Sequence, residues 1–444
     1  MPYTNKKIAV LGAGESGEAA ALLLAEEGAM VTVLDSAEEE RIRHKIEALR
    51  LRSVHVIAGS AAEESDEPYD LAVLSPGIDP AAPLVQNFLR RRIEMIGELE
   101  LAYEWCKCPI IGITGTNGKT TTTQLVERML NACGVKTVAA GNIGPAFSAR
   151  VKESGKLDVM TLEISSFQLE SIRRFRPAIA VWLGFAHDHL DRYHSLDEYY
   201  KAKLRIFENQ TRDDWAVVNF RDQLPALQAR KITFSAFASG ADFELRTGII
   251  HFRGEPVLAL GDTKLRGAHN AENLMAALGV GFVRGLDFAA MRTPLCEYAP
   301  LPHRCEALRV LEGVEWINDS KGTNPDAVEK ALGSETHPVI LIAGGKDKGF
   351  EYEMLTELVA QKCRAVVTLG EMADRIEALW KERLPVRNAG RSLKTAVRLA
   401  RELAQPGDVV LFSPGTSSFD MFKNYADRGN QFRTLVQALT TNTP

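Results

Sequence analysis

Twice in the first 123 residues an apolar run ends in a glycine loop that opens a helix. The first reads IAVLGAGESGEAA from Ile8, and the second reads PIIGITGTNGKTTTT from Pro109. Such a loop belongs at the C-terminal end of a parallel strand, where glycines let backbone amides and a helix N-terminus face an anion. Two of them call for two parallel α/β sheets in one chain. The length of 444 residues agrees, being too great for one core and suited to two or three.

Alternating strand-like and helix-like segments fill out this plan. MVTVLD (30–35), VHVIAG (54–59) and DLAVLSPG (70–77) complete a first unit that closes near residue 98. DVMTLEIS (158–165), AIAVWLGF (178–185) and WAVVNF (215–220) follow the second loop, with a helix over 197–208. Residues 230–267 read as hairpins at one sheet edge. The proline-rich YAPLPHRCE (298–306) marks a second boundary, after which VEWINDS, PVILIAGG, RAVVTLG and DVVLFSPG alternate with helices. The fold class is α/β in three domains: a Rossmann-like N-terminal domain (1–98), a central P-loop ATPase-type domain (99–302) and a Rossmann-like C-terminal domain (303–444).

Composition excludes several classes. With 45% hydrophobic and 25% charged residues, a net charge of −5 and no basic, aromatic-interleaved run, nucleic acid is not expected as a partner. Glu15 and Glu18 interrupt the apolar run after Lys6-Lys7, and no stretch reaches membrane-spanning length, so a cytoplasmic protein without membrane insertion is expected. Six scattered cysteines form no Cys-x-x-Cys pair and read as reduced and partly buried. Cys106-Lys107-Cys108 could bind a soft metal, but no second pair stands nearby to complete a site.

The two loops differ in what they specify. Gly12, Gly14 and Gly17, with Asp35 about twenty residues on, meet the dinucleotide fingerprint. The chemistry needs only a pyrophosphate and a ribose, so a UDP-sugar fits as well as NAD. Glu15, a negative charge within the loop, weakens the NAD reading. The second loop lacks the first Walker glycine, with Ile113 in its place. Gly115, Thr116, Asn117 and Gly118 still offer amides to phosphate, Lys119 reaches the β and γ oxygens, and Thr120 can ligate Mg²⁺. Glu163 at a strand end can hold a metal or its water, or can be a helix N-cap acid. His187 and His189 could share a face and bind zinc, while a single histidine on Mg²⁺ competes with that reading. Lys201, Lys203 and Arg205 can equally be the solvated face of an amphipathic helix.

GITGTNGKTTT, LEISSFQLE, DHLDRY, KAKLRIF, GAHNAENLMAAL, LPHR, INDSKGTNPDA, GGKDKG and SPGTSSFDMFKNYADRGNQF, in that order, resemble the ATP-dependent muramyl-peptide ligases, a family that includes folylpolyglutamate synthetase. The NDSKGTN stretch looks most like the D-glutamate-adding branch. The resemblance implies an amide ligase joining D-glutamate to UDP-N-acetylmuramoyl-L-alanine through an acyl phosphate, in cytoplasmic peptidoglycan synthesis, and acting as a monomer. It implies UDP-sugar contacts at Glu15, Ser16, Asp35, Ser36, Gly77 and Asn142. ATP would meet the loop from Gly115 through Thr121, with Lys119 on the γ-phosphate, and Asn273, Arg304 and Asp319. Two Mg²⁺ would be served by Thr120, Glu163, His189 and a carbamylated Lys203. D-glutamate would be received by Lys321, Thr323, Lys348, Ser418, Phe419 and Tyr425, with Lys346 an alternative to Lys348. Gly184-Phe185 departs from the Asn-Ile usual in the family. Rival readings are another amino-acid substrate, an NAD-dependent oxidoreductase with a regulatory ATP site, and a P-loop switch; the missing Asn-Lys-x-Asp motif disfavours a GTPase switch.

Overall fold

The structure, a computed structural model, describes residues 3–187, 192–349 and 351–441. The first sheet has five parallel strands: β1 (Lys7–Leu11), β2 (Met30–Asp35), β3 (His55–Ala58), β4 (Leu71–Leu74) and β5 (Met95–Gly97), in the order β3-β2-β1-β4-β5. Its strands are near-continuous apolar runs because both faces are covered. Ile8 and Val10 join one core with Leu24 and Val33, while Ala9 and Leu11 join the other with Leu34 and Phe88.

The second sheet contains six parallel strands: β6 (Ile110–Thr114), β7 (Ala139–Gly141), β8 (Met160–Glu163), β9 (Ile179–Trp182), β10 (Trp215–Asn219) and β11 (Arg230–Ser235), ordered β11-β10-β9-β6-β8-β7. Trp182, Phe147 and Phe175 anchor its core. β11 corrects the hairpin expectation for 230–267, since Arg230–Ser235 runs parallel to β10. The hairpins come later, with β12 (Phe243–Arg246), β13 (Ile249–Phe252) and β14 (Glu255–Ala259), of which β13 and β14 are antiparallel. The helix expected over 197–208 ends at Leu204 and tightens into a 3₁₀ turn over Arg205–Phe207.

The third sheet has the order β15-β16-β20-β17-β18-β19, from β15 (Glu306–Leu311), β16 (Val314–Asn318), β17 (Val339–Gly344), β18 (Cys363–Leu369), β19 (Val386–Asn388) and β20 (Val409–Phe412). β15 and β16 are antiparallel and the remaining pairings are parallel. Helices cover both faces, one around Trp380 and the other around Phe432. The first sheet and the six parallel strands of the second lie in one compact unit, residues 3–185, 197–243 and 274–295; the third sheet and residues 244–273 lie in another. Among the described residues no helix is long and apolar enough to cross a membrane.

Gly17 shows how tightly the first glycine loop is built. A Cβ there would lie 1.9 Å from the Gly12 carbonyl oxygen and 2.7 Å from Ser75 Oγ, whereas one at Gly14 would meet nothing within 4 Å. Gly17→Ala is therefore expected to lower stability by about 2 kcal/mol or more through overpacking, and Gly14→Ala to change it little. Thermal unfolding of the two variants checks this; equal midpoints would contradict it.

Candidate active site

Of the residues expected at the UDP-sugar site, Glu15, Ser16, Asp35, Ser36 and Gly77 stand at the C-terminal ends of β1, β2 and β4, and Asn142 follows β7. Asp35 accepts the Ala13 amide on Oδ2 at 2.7 Å and the Ala37 amide on Oδ1 at 2.8 Å. It thus fixes the loop after β1 to the end of β2. Glu15 is exposed at the start of helix Glu15–Glu26, so its charge turns outward; Ser36 and Gly77 are exposed as well. Lys45, which the sequence reading passed over, donates to the Ala13 carbonyl at 2.9 Å and brings a cation to the loop. A cleft of about 680 Å³ runs from Glu15 along that helix to Gly144–Ala146 and Lys152. The segment following Asn142 therefore faces the same space as the first loop.

The second loop leaves β6 with Gly115 and Gly118 at φ of +151° and +83°. Helix Lys119–Ala132 starts there, with Thr120 and Thr121 buried. Lys119 Nζ donates to the carbonyls of Gly115 at 2.9 Å and Thr116 at 2.8 Å. Lys203 Nζ donates to the same Gly115 carbonyl at 2.9 Å and lies 4.8 Å from the Tyr199 ring centroid. Lys203 is only 1% exposed, which rules out the solvated-face reading for this residue; Lys201, paired with Asp197, is exposed and keeps it. Burying an ammonium is costly unless it is well partnered. Gly184, at φ +130°, turns its carbonyl to the Thr116 amide at 2.9 Å, and Phe185 packs on Tyr199 and Tyr200. The Gly184-Phe185 pair thus holds the phosphate loop.

Glu163 ends β8, in register with Ile113 of β6, and is 2% exposed. Asn142 Nδ2 donates to its Oε1 at 2.8 Å, and the Asn142 amide donates to its carbonyl at 2.8 Å. This close approach needs Gly141, at φ +106°, where a Cβ would lie 2.3 Å from the Glu163 carbonyl oxygen. Glu163 Oε2 is buried without a hydrogen-bond partner. A buried carboxylate oxygen left unpaired fits a cation, so the donor set suits Mg²⁺. Among the described residues no group of three His, Cys, Asp or Glu is placed to hold a metal. His189, with Asp188 and Asp191, lies outside the described residues.

In the second unit the expected residues cluster at the ends of β16, β17 and β20. Asp319 accepts from Ser413 Oγ at 2.7 Å and from the Cys305 amide at 3.2 Å. Burial pushes its carboxyl up to about 6, against the opposing pull of these hydrogen bonds and of Arg304. Lys321 Nζ lies 3.9 Å from the Tyr425 ring centroid. Ser418 is buried and Phe419 is 67% exposed. Thr323 and Lys348 are partly exposed, while Lys346 pairs with Glu371 at 3.6 Å. Asn273 donates to Asn270 Oδ1 at 3.1 Å.

Arg428 was missed. It is 1% exposed, donates to Ser320 Oγ, the Ser320 carbonyl and the Thr416 carbonyl, and is pushed down to about 10 by burial. The signal available was its neighbour Gly429, where a Cβ would lie 2.3 Å from His303 Nδ1. Ser417 Oγ and Asp420 Oδ1 are buried without partners beside the chosen Ser418. His269, four residues before Asn273, was also passed over; burial first, then the nearby Lys330 charge, pushes it down to about 4.

Parallel sheets whose strand-end loops carry a P-loop lysine, a buried carboxylate and a second basic and hydroxyl cluster define an ATP-handling α/β protein. Residues 6–97 match the "Mur ligase MurD-like, N-terminal domain", 113–281 the "Mur ligase middle domain" and 303–415 the "Mur ligase, glutamate ligase domain". The chain belongs to the Mur ligase family. It is 42% identical over 99% of both chains to the UDP-N-acetylmuramoylalanine–D-glutamate ligase of Geotalea uraniireducens, and 40% identical over 99% of both to that of Geobacter metallireducens. Among solved structures, UDP-N-acetylmuramate-alanine ligase MurC from Thermotoga maritima shares the fold with a TM-score of 0.63 at 19% identity, covering 98% of this chain and 100% of that one. MurF ligase from the same organism, in complex with ADP, gives a TM-score of 0.61 at 17% identity over 92% and 95%.

Asp319 and His269 make opposite demands on pH. Asp319 is raised from 3.8 to about 6, so the folded state binds the extra proton between these values and stability falls as pH rises through them. His269 is lowered from 6.5 to about 4, so the unfolded state binds the extra proton and stability rises with pH over that window. Relative to the parent, Asp319→Asn should make the thermal midpoint climb more steeply from about pH 4 to 6, and His269→Gln should make it fall. Each effect is on the order of 2 kcal/mol across the window. Calorimetry at several pH values checks the signs; parallel profiles in all three proteins would refute them.

Proposed function

We infer that this chain joins D-glutamate to UDP-N-acetylmuramoyl-L-alanine with ATP as the driving reactant, a step of peptidoglycan precursor synthesis. The observation that carries this reading is whole-length identity of about 40% to D-glutamate ligases, with all three domain matches in order. The ADP held by the MurF neighbour and the Lys119 loop support ATP as the nucleotide.

The chemistry follows from the residues. Glu15, Ser16, Asp35, Ser36, Gly77 and Asn142 would hold the UDP-sugar, in the domain assigned to 1–98 and the adjoining Asn142 segment. Amides from Gly115 to Thr121 and the Lys119 ammonium would cradle the ATP phosphates in 99–302, with Asn273, Arg304 and Asp319 contacting the nucleotide. Thr120, Glu163, His189 and a carbamylated Lys203 would hold two Mg²⁺, which when bound offset charge on the transferring phosphoryl group. The L-alanine carboxylate takes the γ-phosphoryl, giving an acyl phosphate and ADP. The amine of D-glutamate, held in 303–444 by Lys321, Thr323, Lys348, Ser418, Phe419 and Tyr425, attacks the acyl carbon. The tetrahedral intermediate then expels phosphate. Cations and hydroxyls suit a dianionic amino acid, and water must be kept from the acyl phosphate. The reading is of a single chain acting as a monomer in the cytoplasm.

Phosphate release from ATP with UDP-N-acetylmuramoyl-L-alanine is expected to require D-glutamate and to fail with L-glutamate, L-lysine or D-alanine. Release with one of the others would move the specificity and leave the family standing. Lys119→Ala should reduce the rate by about a hundredfold or more; unchanged turnover would sink the loop's assignment.

A further inference from the structure

A second cavity, of about 980 Å³, opens on the opposite edge of the second sheet from the phosphate loop, around the N-terminal end of β6. Cys106 and Cys108 line it, together with Lys107, Arg173, Arg174 and Arg176 against Glu104 and Asp214. Nothing in the ligase reaction uses this space. The two cysteines lie in the connector between helix Glu98–Tyr103 and β6, outside regular structure, with Cys108 at a bend. Both are free and partly exposed. Cys106 Sγ donates to the Cys108 carbonyl oxygen at 3.3 Å.

We propose that Cys106 and Cys108 are a redox-active dithiol that closes to an intramolecular disulfide by exchange with a low-molecular-weight disulfide. Residues two apart reach at most about 7 Å even when extended, and a bend brings them inside the roughly 4.4–6.8 Å that a disulfide needs. The cavity supplies room for the reagent. The hydrogen bond from Cys108 holds the Cys106 thiol down, at about 7, while the Cys108 thiol is raised; this makes Cys106 the attacking group.

The Cys106 thiolate attacks one sulfur of the reagent, breaking its S–S bond and releasing one thiolate, which takes a proton from water. Cys108 then gives up its proton and attacks Cys106 Sγ, expelling the second thiolate. The balance is one protein dithiol and one disulfide giving one protein disulfide and two thiols. The connector is anchored within the ring and just after it. The Lys107 amide donates to Ser154 Oγ at 3.0 Å, and the Pro109 carbonyl accepts from Met160 at 3.0 Å. A disulfide exposed to solvent is the readily reduced kind.

The full-length protein, treated with oxidised glutathione, alkylated and digested, tests this by mass spectrometry. The peptide carrying Cys106 and Cys108 should lose two hydrogens and both alkylation sites, and dithiothreitol should restore them. Cys108→Ser should stop at a glutathione adduct on Cys106. At pH 7 Cys106 should alkylate at least about tenfold faster than Cys133. Two thiols that remain alkylatable in the parent protein, or oxidation no faster than at Cys133 and Cys296, would overturn the proposal.

Discussion

A carboxylate at the end of a parallel strand, accepting a hydrogen bond from the loop of a neighbouring strand, is the interaction on which each functional cluster rests. Asp35 closes β2 and takes the amide of Ala13 after β1. Glu163 closes β8 and takes the side chain of Asn142 after β7. Asp319 follows β16 and takes the hydroxyl of Ser413 after β20. Parallel strands bring successive loops to one edge but leave their backbone groups without ladder partners there. A short acid reaching sideways satisfies those groups and fixes the spacing between adjacent loops.

Such fixing requires close approach, and the glycines supply it. Gly17 lets the first helix start directly over the Gly12 carbonyl, and Gly141 lets Asn142 fold onto Glu163. The Gly115 carbonyl is then shared by Lys119 and Lys203, so two cationic side chains from different helices converge on one loop atom. Burial of Asp319 and Arg428 in the second unit disfavours the charged form of each and so moves them in opposite directions, acid raised and base lowered. Both effects come from removing water around strand-end loops whose hydrogen bonds are otherwise internal.

The parts of this arrangement that were legible in the sequence are those written as local pattern. The apolar runs of β1, β6, β17 and β20 announce buried parallel strands, and GTNGKT announces its own loop. Three strands of three residues, Met95–Gly97, Ala139–Gly141 and Val386–Asn388, were not legible, because so short a run has no period to detect. Arg230–Ser235 has the alternation of a hairpin strand, yet it pairs parallel to β10, since register is decided by the neighbour and not by the run itself. Lys45, Ser417 and Arg428 were missed for the same reason. Their importance lies in what stands opposite them, at separations no local motif spans.

The three strand-end acids look interchangeable by position, and what separates them is how their oxygens are occupied. Both oxygens of Asp35 accept from backbone amides, and both oxygens of Asp319 accept from the protein. Only Glu163 has one oxygen held, by Asn142, and the other buried with no partner. An acid whose lone pairs are met internally is a staple. An acid oriented by one bond and left unsatisfied on the far side fits a cation there, because the uncompensated buried oxygen otherwise carries a penalty of about 1–3 kcal/mol or more. The same strand-end geometry therefore leaves the three acids differently satisfied, and the difference follows from counting hydrogen bonds at each carboxylate.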